Sequence, residues 1–135
     1  MQESIERANA LLEKADLLTL AVVGEDQYPR AYVMTKLAGE GIRELCFLAK
    51  DHSEKVRALE LNPRACVSFA APGGSVSLTG EVKLERDPAA MRALWVPELD
   101  RIFPAGPEQG DLVLLRFTAR AGTFCFMGKV EDCPL

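Results

Sequence analysis

The segment Phe47-Leu48-Ala49-Lys50-Asp51-His52-Ser53-Glu54-Lys55-Val56-Arg57 brings a hydroxyl, several cations and a helix start into one short stretch. An apolar strand runs into a helix with a polar first turn, which is how a chain prepares to hold a phosphate. Asp51 is placed to act as N-cap, with Glu54 as the reciprocal half of a capping box. Ser53 and Lys55 then sit in the first turn, where free backbone N–H groups and the positive end of the helix dipole point at the same spot. The same residues also describe an ordinary capped helix with a solvated charged face, because Asp51 and Glu54 fill the local field themselves. The rest of the chain has to decide between the two.

Other chemistries find little support. The sole histidine, His52, lies at the expected helix start and no GxSxG elbow is present, so a nucleophile with its base is lacking. The 20 acidic residues fall mostly on helix faces, in turns and on solvated strand faces, which reads as surface charge rather than a catalytic carboxylate pair. Neither GxGxxG nor GxxxxGKS/T occurs, which removes the Rossmann and Walker phosphate loops. Cys46, Cys66, Cys125 and Cys133 are widely spaced with no CxxC pair, so the ligand arithmetic of a zinc site fails. Redox chemistry would need a bound cofactor, with the protein supplying position and electrostatics. The helix at Asp51 points toward a phosphorylated organic one.

The chain as a whole narrows the class. Its 135 residues, 48% of them apolar, suit a single compact domain over 1–135. A net charge of −4 gives no basic field for nucleic acid or an anionic membrane, so an anion must be captured by local cations. Glu3, Glu6 and Glu13 interrupt the N-terminal stretch, leaving neither a signal-peptide core nor an apolar span of about 20 residues. Cys46 and Cys66 lie in apolar runs as small buried hydrophobes, and Cys133 near the tail reads as an exposed thiol. Reduced thiols point to the cytoplasm.

Ile5, Ala8, Leu12 and Ala15 recur at helical spacing, predicting an amphipathic helix over 4–15. Leu17 to Val23 reads as a strand buried on both faces, turned by Gly24-Glu25-Asp26-Gln27 into a partner strand over 28–37. Gly39-Glu40-Gly41 turns again before a strand over 42–49, and the helix from Asp51 runs to about Leu61, where Asn62-Pro63 stops it. Strands follow over 64–70 and 75–85, the second with Val76, Leu78, Val82 and Leu84 on one face. Gly80 falls on that face and predicts a bulge or the close approach of another backbone or a ligand. Asp87-Pro88 opens a helix through Met91, Leu94 and Trp95. Strands over 111–118 and 123–127 complete the set, and the tail over 131–135 is expected to be loose. Six or seven strands with hairpin-length links make an antiparallel sheet or barrel, mainly β with flanking helices.

The order of these parts resembles a family, the FMN-binding split barrels similar to pyridoxamine 5'-phosphate oxidase, and within it the general stress protein subgroup. The resemblance rests on Tyr28-Pro29-Arg30-Ala31-Tyr32-Val33-Met34-Thr35, on the Leu45 to Val56 segment, on Asn62-Pro63-Arg64 and on Val76-Ser77-Leu78-Thr79-Gly80-Glu81-Val82. Leu94-Trp95, Phe103-Pro104-Ala105-Gly106-Pro107 and Asp111 to Phe117 extend it, so that it spans about residues 5 to 127. It implies a six-stranded antiparallel split β-barrel that forms a homodimer, with FMN in clefts at the subunit interface and a flavin-dependent oxidoreductase activity on an unidentified small molecule. Ser53 and Lys55 match the family's phosphate-binding positions. Tyr32, Val33, Met34 and Thr35 match the strand along the isoalloxazine ring, Ala49 and Lys50 the strand end below the ribityl phosphate, and Trp95 a subgroup aromatic near the ring. The chain departs from the subgroup at Tyr32, where Arg is usual, at Ala49, where Thr is frequent, and over Thr123-Phe124-Cys125-Phe126. Arg30 or Lys36 would then stand in for the missing cation. A split-barrel dimer without turnover, or one using a deazaflavin or haem, is the alternative these departures suggest.

Overall fold

The computed structural model describes residues 1–37 and 41–135. In chain order the elements are α1 (Gln2–Lys14), β1 (Leu17–Val23), β2 (Pro29–Thr35), β3 (Glu44–Lys50), α2 (Glu54–Leu61), β4 (Arg64–Ala71), β5 (Gly74–Glu85), α3 (Pro88–Leu94), α4 (Leu99–Ile102), β6 (Leu112–Phe126) and β7 (Lys129–Pro134). All seven strands join one antiparallel sheet in the order β2-β1-β4-β5-β6-β3, and β7 also pairs with β6. The outermost strands of that path, β2 and β3, approach each other where Leu37 N–H donates to the Cys46 carbonyl at 3.3 Å. They do not pair along their length, so the curled sheet stays open between them as a split barrel. The turn expected at Gly39-Glu40-Gly41 lies, apart from Gly41, outside the described residues.

Alternation decides which side chains fill the barrel. Leu18, Leu20, Val22, Phe47, Val67, Val76, Leu78, Leu115, Phe117 and Phe124 point inward and are buried, and α1 closes the interior with Ile5, Ala8, Leu11 and Leu12. A second apolar cluster lies behind β3 and β6, where Cys46, Leu48, Leu112 and Leu114 pack against Met91, Leu99 and Phe103 from the α3–α4 segment. The run Leu112 to Leu115 is therefore buried on both faces. Leu17 to Val23 is not: its even positions are buried, while Leu17 is 60% exposed and Thr19, Ala21 and Val23 are half-buried. Among the described residues no helix covers that side of the sheet.

Gly80 meets backbone rather than a ligand. The β5–β6 register shifts between Thr79 and Gly80, and a Cβ at position 80 would stand 2.0 Å from the Thr118 carbonyl oxygen. The expected break between strands over 111–118 and 123–127 does not occur. Gly122 continues β6, paired with Leu78 of β5 and Cys133 of β7, and the Phe124 ring lies where a Cβ would be, 2.7 Å from Cε1. Nor is the tail loose. Met127 and Gly128 take φ of 54° and 78°, a two-residue hairpin turn that returns the chain as β7, the seventh strand. That strand turns Cys133 inward, 1% exposed with Sγ 3.4 Å from Met1 Sδ, so the thiol expected at the surface is part of the core. No helix among the described residues is long and apolar enough to cross a membrane.

Candidate functional site

The opening between β2 and β3 is a cleft of about 330 Å³. Val33, Met34 and Thr35 form its β2 wall, and Leu48, Ala49 and Lys50 its β3 wall. The chain leaves β3 directly into α2, which brings Ser53 and Lys55 to one end, while Leu99, Ile102 and Phe103 fill the side opposite the strands. The result is amphipathic, with a polar pole at the start of α2 and apolar walls elsewhere. Val33 and Ile102 remain 69% and 54% exposed, which leaves large apolar groups facing solvent at the cleft.

The helix start differs from the capping box expected for Asp51 and Glu54. α2 begins at Glu54, and its N-cap is Ser53, with the extended backbone that position requires (φ −73°, ψ 157°). The Asp51 carboxylate is drawn away by Arg86, whose Nε and Nη2 donate to it at 3.1 and 2.8 Å. This fork holds the Asp51 carboxyl below its ordinary value. The acid that would have filled the helix end is committed elsewhere. Ser53 does not fill it either: its side chain makes no cap hydrogen bond, and its Oγ is buried without a partner among the described residues.

Lys55 supplies the positive charge at this pole. It is half-buried, and desolvation lowers its pKa. Among the described residues no carboxylate pairs with it. Its Nζ lies 4.6 Å from the centroid of the Tyr32 ring. Lys50 is occupied, with Nζ 3.2 Å from Asp111 Oδ2 and 5.8 Å from the Phe103 ring centroid. Gln109 and then Lys50 hold the Asp111 carboxyl below its ordinary value. The two cations expected to stand in at position 32 do not reach the cleft. Arg30 bonds Asp26 at 2.8 Å, and Lys36 donates to the Leu12 carbonyl at 2.7 Å, lining a different cavity beside α1. Burial in the second apolar cluster pushes the Cys46 thiol, on β3, up to about 11, so it stays protonated.

Seven residues singled out from the sequence, Val33, Met34, Thr35, Ala49, Lys50, Ser53 and Lys55, thus converge on one cleft. Tyr32 and Trp95 do not line it. Strand alternation sends Tyr32 toward the barrel core, and it reaches the cleft only through its contact with Lys55. Trp95 stands behind Phe103 with ring centroids 6.4 Å apart, its Nε1 donating to Asp100 Oδ1 at 2.9 Å. Phe103 is the aromatic that faces the cavity. Phe103 entered the sequence reading only as part of the family resemblance, and Leu99 and Ile102 not at all, because they sit in a Pro- and Gly-rich stretch without strand or long-helix periodicity. The one available signal was the recurrence of large apolar residues, Trp95, Val96, Leu99, Ile102 and Phe103, in a connection too irregular to be a strand.

Comparison with known proteins bears on the fold and the family. The family described as Pyridoxamine 5'-phosphate oxidase matches residues 4–126. No curated protein matches the chain. Among solved structures, a protein related to general stress protein 26 from Clostridium acetobutylicum superposes with a TM-score of 0.90 at 22% identity, over 100% of this chain and 96% of that one. The general stress protein 26 of Bacillus anthracis gives 0.80 at 20% identity, over 99% and 98%. A haem-binding protein from Mycobacterium smegmatis gives 0.79 at 20% identity, over 97% of this chain and 57% of that one. These likenesses carry the fold alone, whereas the family match extends from α1 to the end of β6, so the chain belongs to the pyridoxamine 5'-phosphate oxidase family.

Proposed function

We propose that the cleft between β2 and β3 holds FMN and that the protein is a flavin-dependent oxidoreductase working as a homodimer. The observation that carries this reading is the Ser53 hydroxyl, buried at the N-terminus of α2 beside Lys55, with no partner for the hydroxyl and no carboxylate for the charge among the described residues. A phosphate would satisfy Oγ, the ammonium and the free N–H groups of the first turn together. Apolar walls of Val33, Leu48, Ile102 and Phe103 suit a flat ring and exclude water around it. The flavin, when bound, supplies the chemistry by accepting a hydride or electrons. Haem, the ligand of the mycobacterial neighbour, is less well served, since the sole histidine, His52, is exposed and outside the cleft.

The dimer reading is supported by the uncovered face of β1 and β2, where Leu17 and Val33 are exposed beside small residues such as Ala21 and Ala31. A second copy laid there would also close the exposed side of the cleft at Val33. Sedimentation at micromolar concentration is expected to give a two-chain mass, and a single-chain mass would remove the dimer from the proposal. For the cofactor, the absorbance spectrum of the purified protein is followed during FMN addition. Perturbed flavin bands with saturable binding are expected, and a spectrum that stays the sum of its components would overturn the assignment.

A further inference from the structure

We propose that Tyr32 is a positioning residue, whose ring holds the Lys55 ammonium at the polar pole of the cleft so that it meets a phosphate already oriented. This rests on the reading of the cleft as an FMN site. Tyr32 and Lys55 come from elements far apart in the chain, yet Nζ lies 4.6 Å from the ring centroid, inside the range of a cation–π contact. The ring itself is fixed. It packs against the barrel core, and its backbone is held opposite Leu20 in the β1–β2 ladder.

The two residues occupy different spaces. Lys55 lines the cleft, whereas Tyr32 lines a small cavity of about 130 Å³ on the other side, with Glu54 and Ala58 of α2. The lysine stem therefore lies along the boundary between them, with its head over the ring. A free lysine samples many rotamers, and one lying on a fixed aromatic face samples fewer, so less freedom is lost when an anion binds. The contact does not exhaust the ammonium. It carries three N–H donors, and a ring face engages the charge without consuming those directed into the cleft. The neighbouring cations are each tied to another group, Lys50 to Asp111 and Arg30 to Asp26. Lys55 is the cation in the cleft that an aromatic face orients while no carboxylate neutralises it among the described residues.

The test is a double-mutant cycle on FMN affinity with Tyr32→Leu, Lys55→Ala and the pair, with Tyr32→Phe as the conservative variant and riboflavin as the ligand lacking the phosphate. Tyr32→Leu is expected to weaken FMN about three- to thirtyfold, the range of a partly desolvated cation–π contact. Tyr32→Phe keeps the wild-type affinity, riboflavin binding moves with neither variant, and Tyr32→Leu has no further effect once Lys55 is Ala. Full additivity of the two substitutions, or an equal loss for riboflavin, would overturn the positioning role. The contact is also read without ligand, as an upfield ring-current shift of the Lys55 ε-methylene protons that Phe retains and Leu abolishes. Should wild-type protein take no FMN, the flavin reading fails by itself. Inorganic phosphate then serves as probe, and a phosphate-induced Lys55 shift that is unchanged in Tyr32→Leu overturns the positioning role.

Discussion

Lys55→Ala is expected to lower FMN affinity by about ten- to a hundredfold while leaving riboflavin binding unchanged. The range follows from a charge-assisted contact to phosphate of roughly 1.5–3 kcal/mol, with each 1.4 kcal/mol worth a factor of ten. Screening is limited because the ammonium is half-buried, and among the described residues no second free cation lines the cleft to replace it, Lys50 being held by Asp111. Ser53→Ala adds a diagnostic of opposite sign. The hydroxyl is buried with no partner among the described residues, so its removal should cost the ligand-free protein nothing and raise its melting temperature slightly, while FMN binds less tightly. Fluorescence titration with both ligands and a thermal melt without ligand read all three quantities. An equal loss for riboflavin, or a destabilised ligand-free Ser53→Ala protein, would remove the phosphate from this pole.

Phe117→Ala should cost about 3–5 kcal/mol, the usual range for emptying a large aromatic site in a packed core. Phe117 is fully buried on β6, opposite Leu45 of β3 on one side and Val82 of β5 on the other. Neighbours held in ladders on both sides cannot collapse into the void, which places the cost high in that range. Set against a typical total of about 5–15 kcal/mol, this removes a large share of the stability. Urea unfolding should show a lower midpoint with an unchanged slope. A loss under about 1 kcal/mol would mean that β3, β5 and β6 do not meet around this ring.

What could be read in the sequence depended on how local its cause was. The mainly β class, the α1 stripe and the Asp87-Pro88 helix start are set by neighbours a few positions away, whereas Gly80 stood out as a gap in the apolar face of β5 although the backbone it meets, at Thr118, is remote. Asp87 Oδ1 does accept the Ala89 N–H at 3.0 Å. The helix start at Ser53 was missed because its cause is remote: Arg86, at the end of β5, takes Asp51 out of the cap. The same holds for Lys50, whose partner Asp111 lies across the β3–β6 ladder. β7 was missed for a different reason. Lys129 to Pro134 carries too few apolar residues to read as a strand, and Cys133 is its one buried position. The convergence of Ser53, Lys55 and the β2 positions was legible only through the order of motifs along the whole chain, since no single spacing joins residue 33 to residue 53.

The two walls of the cleft have unequal histories. β2 is the second arm of a hairpin with β1, in which Val23 faces Pro29 and Leu17 faces Thr35, so this wall can form from adjacent chain. β3 has no such neighbour: Glu44 pairs with Thr118 and Lys50 with Leu112. Contacts that close long loops form late, because loop-closure entropy comes before any reward. On a ribosome the β1–β2 wall can be in place while β3 still waits for β6 to emerge. A cleft assembled in that order cannot use any ligand as an early template, and nascent chains would be without the cleft until most of the sequence had been synthesised.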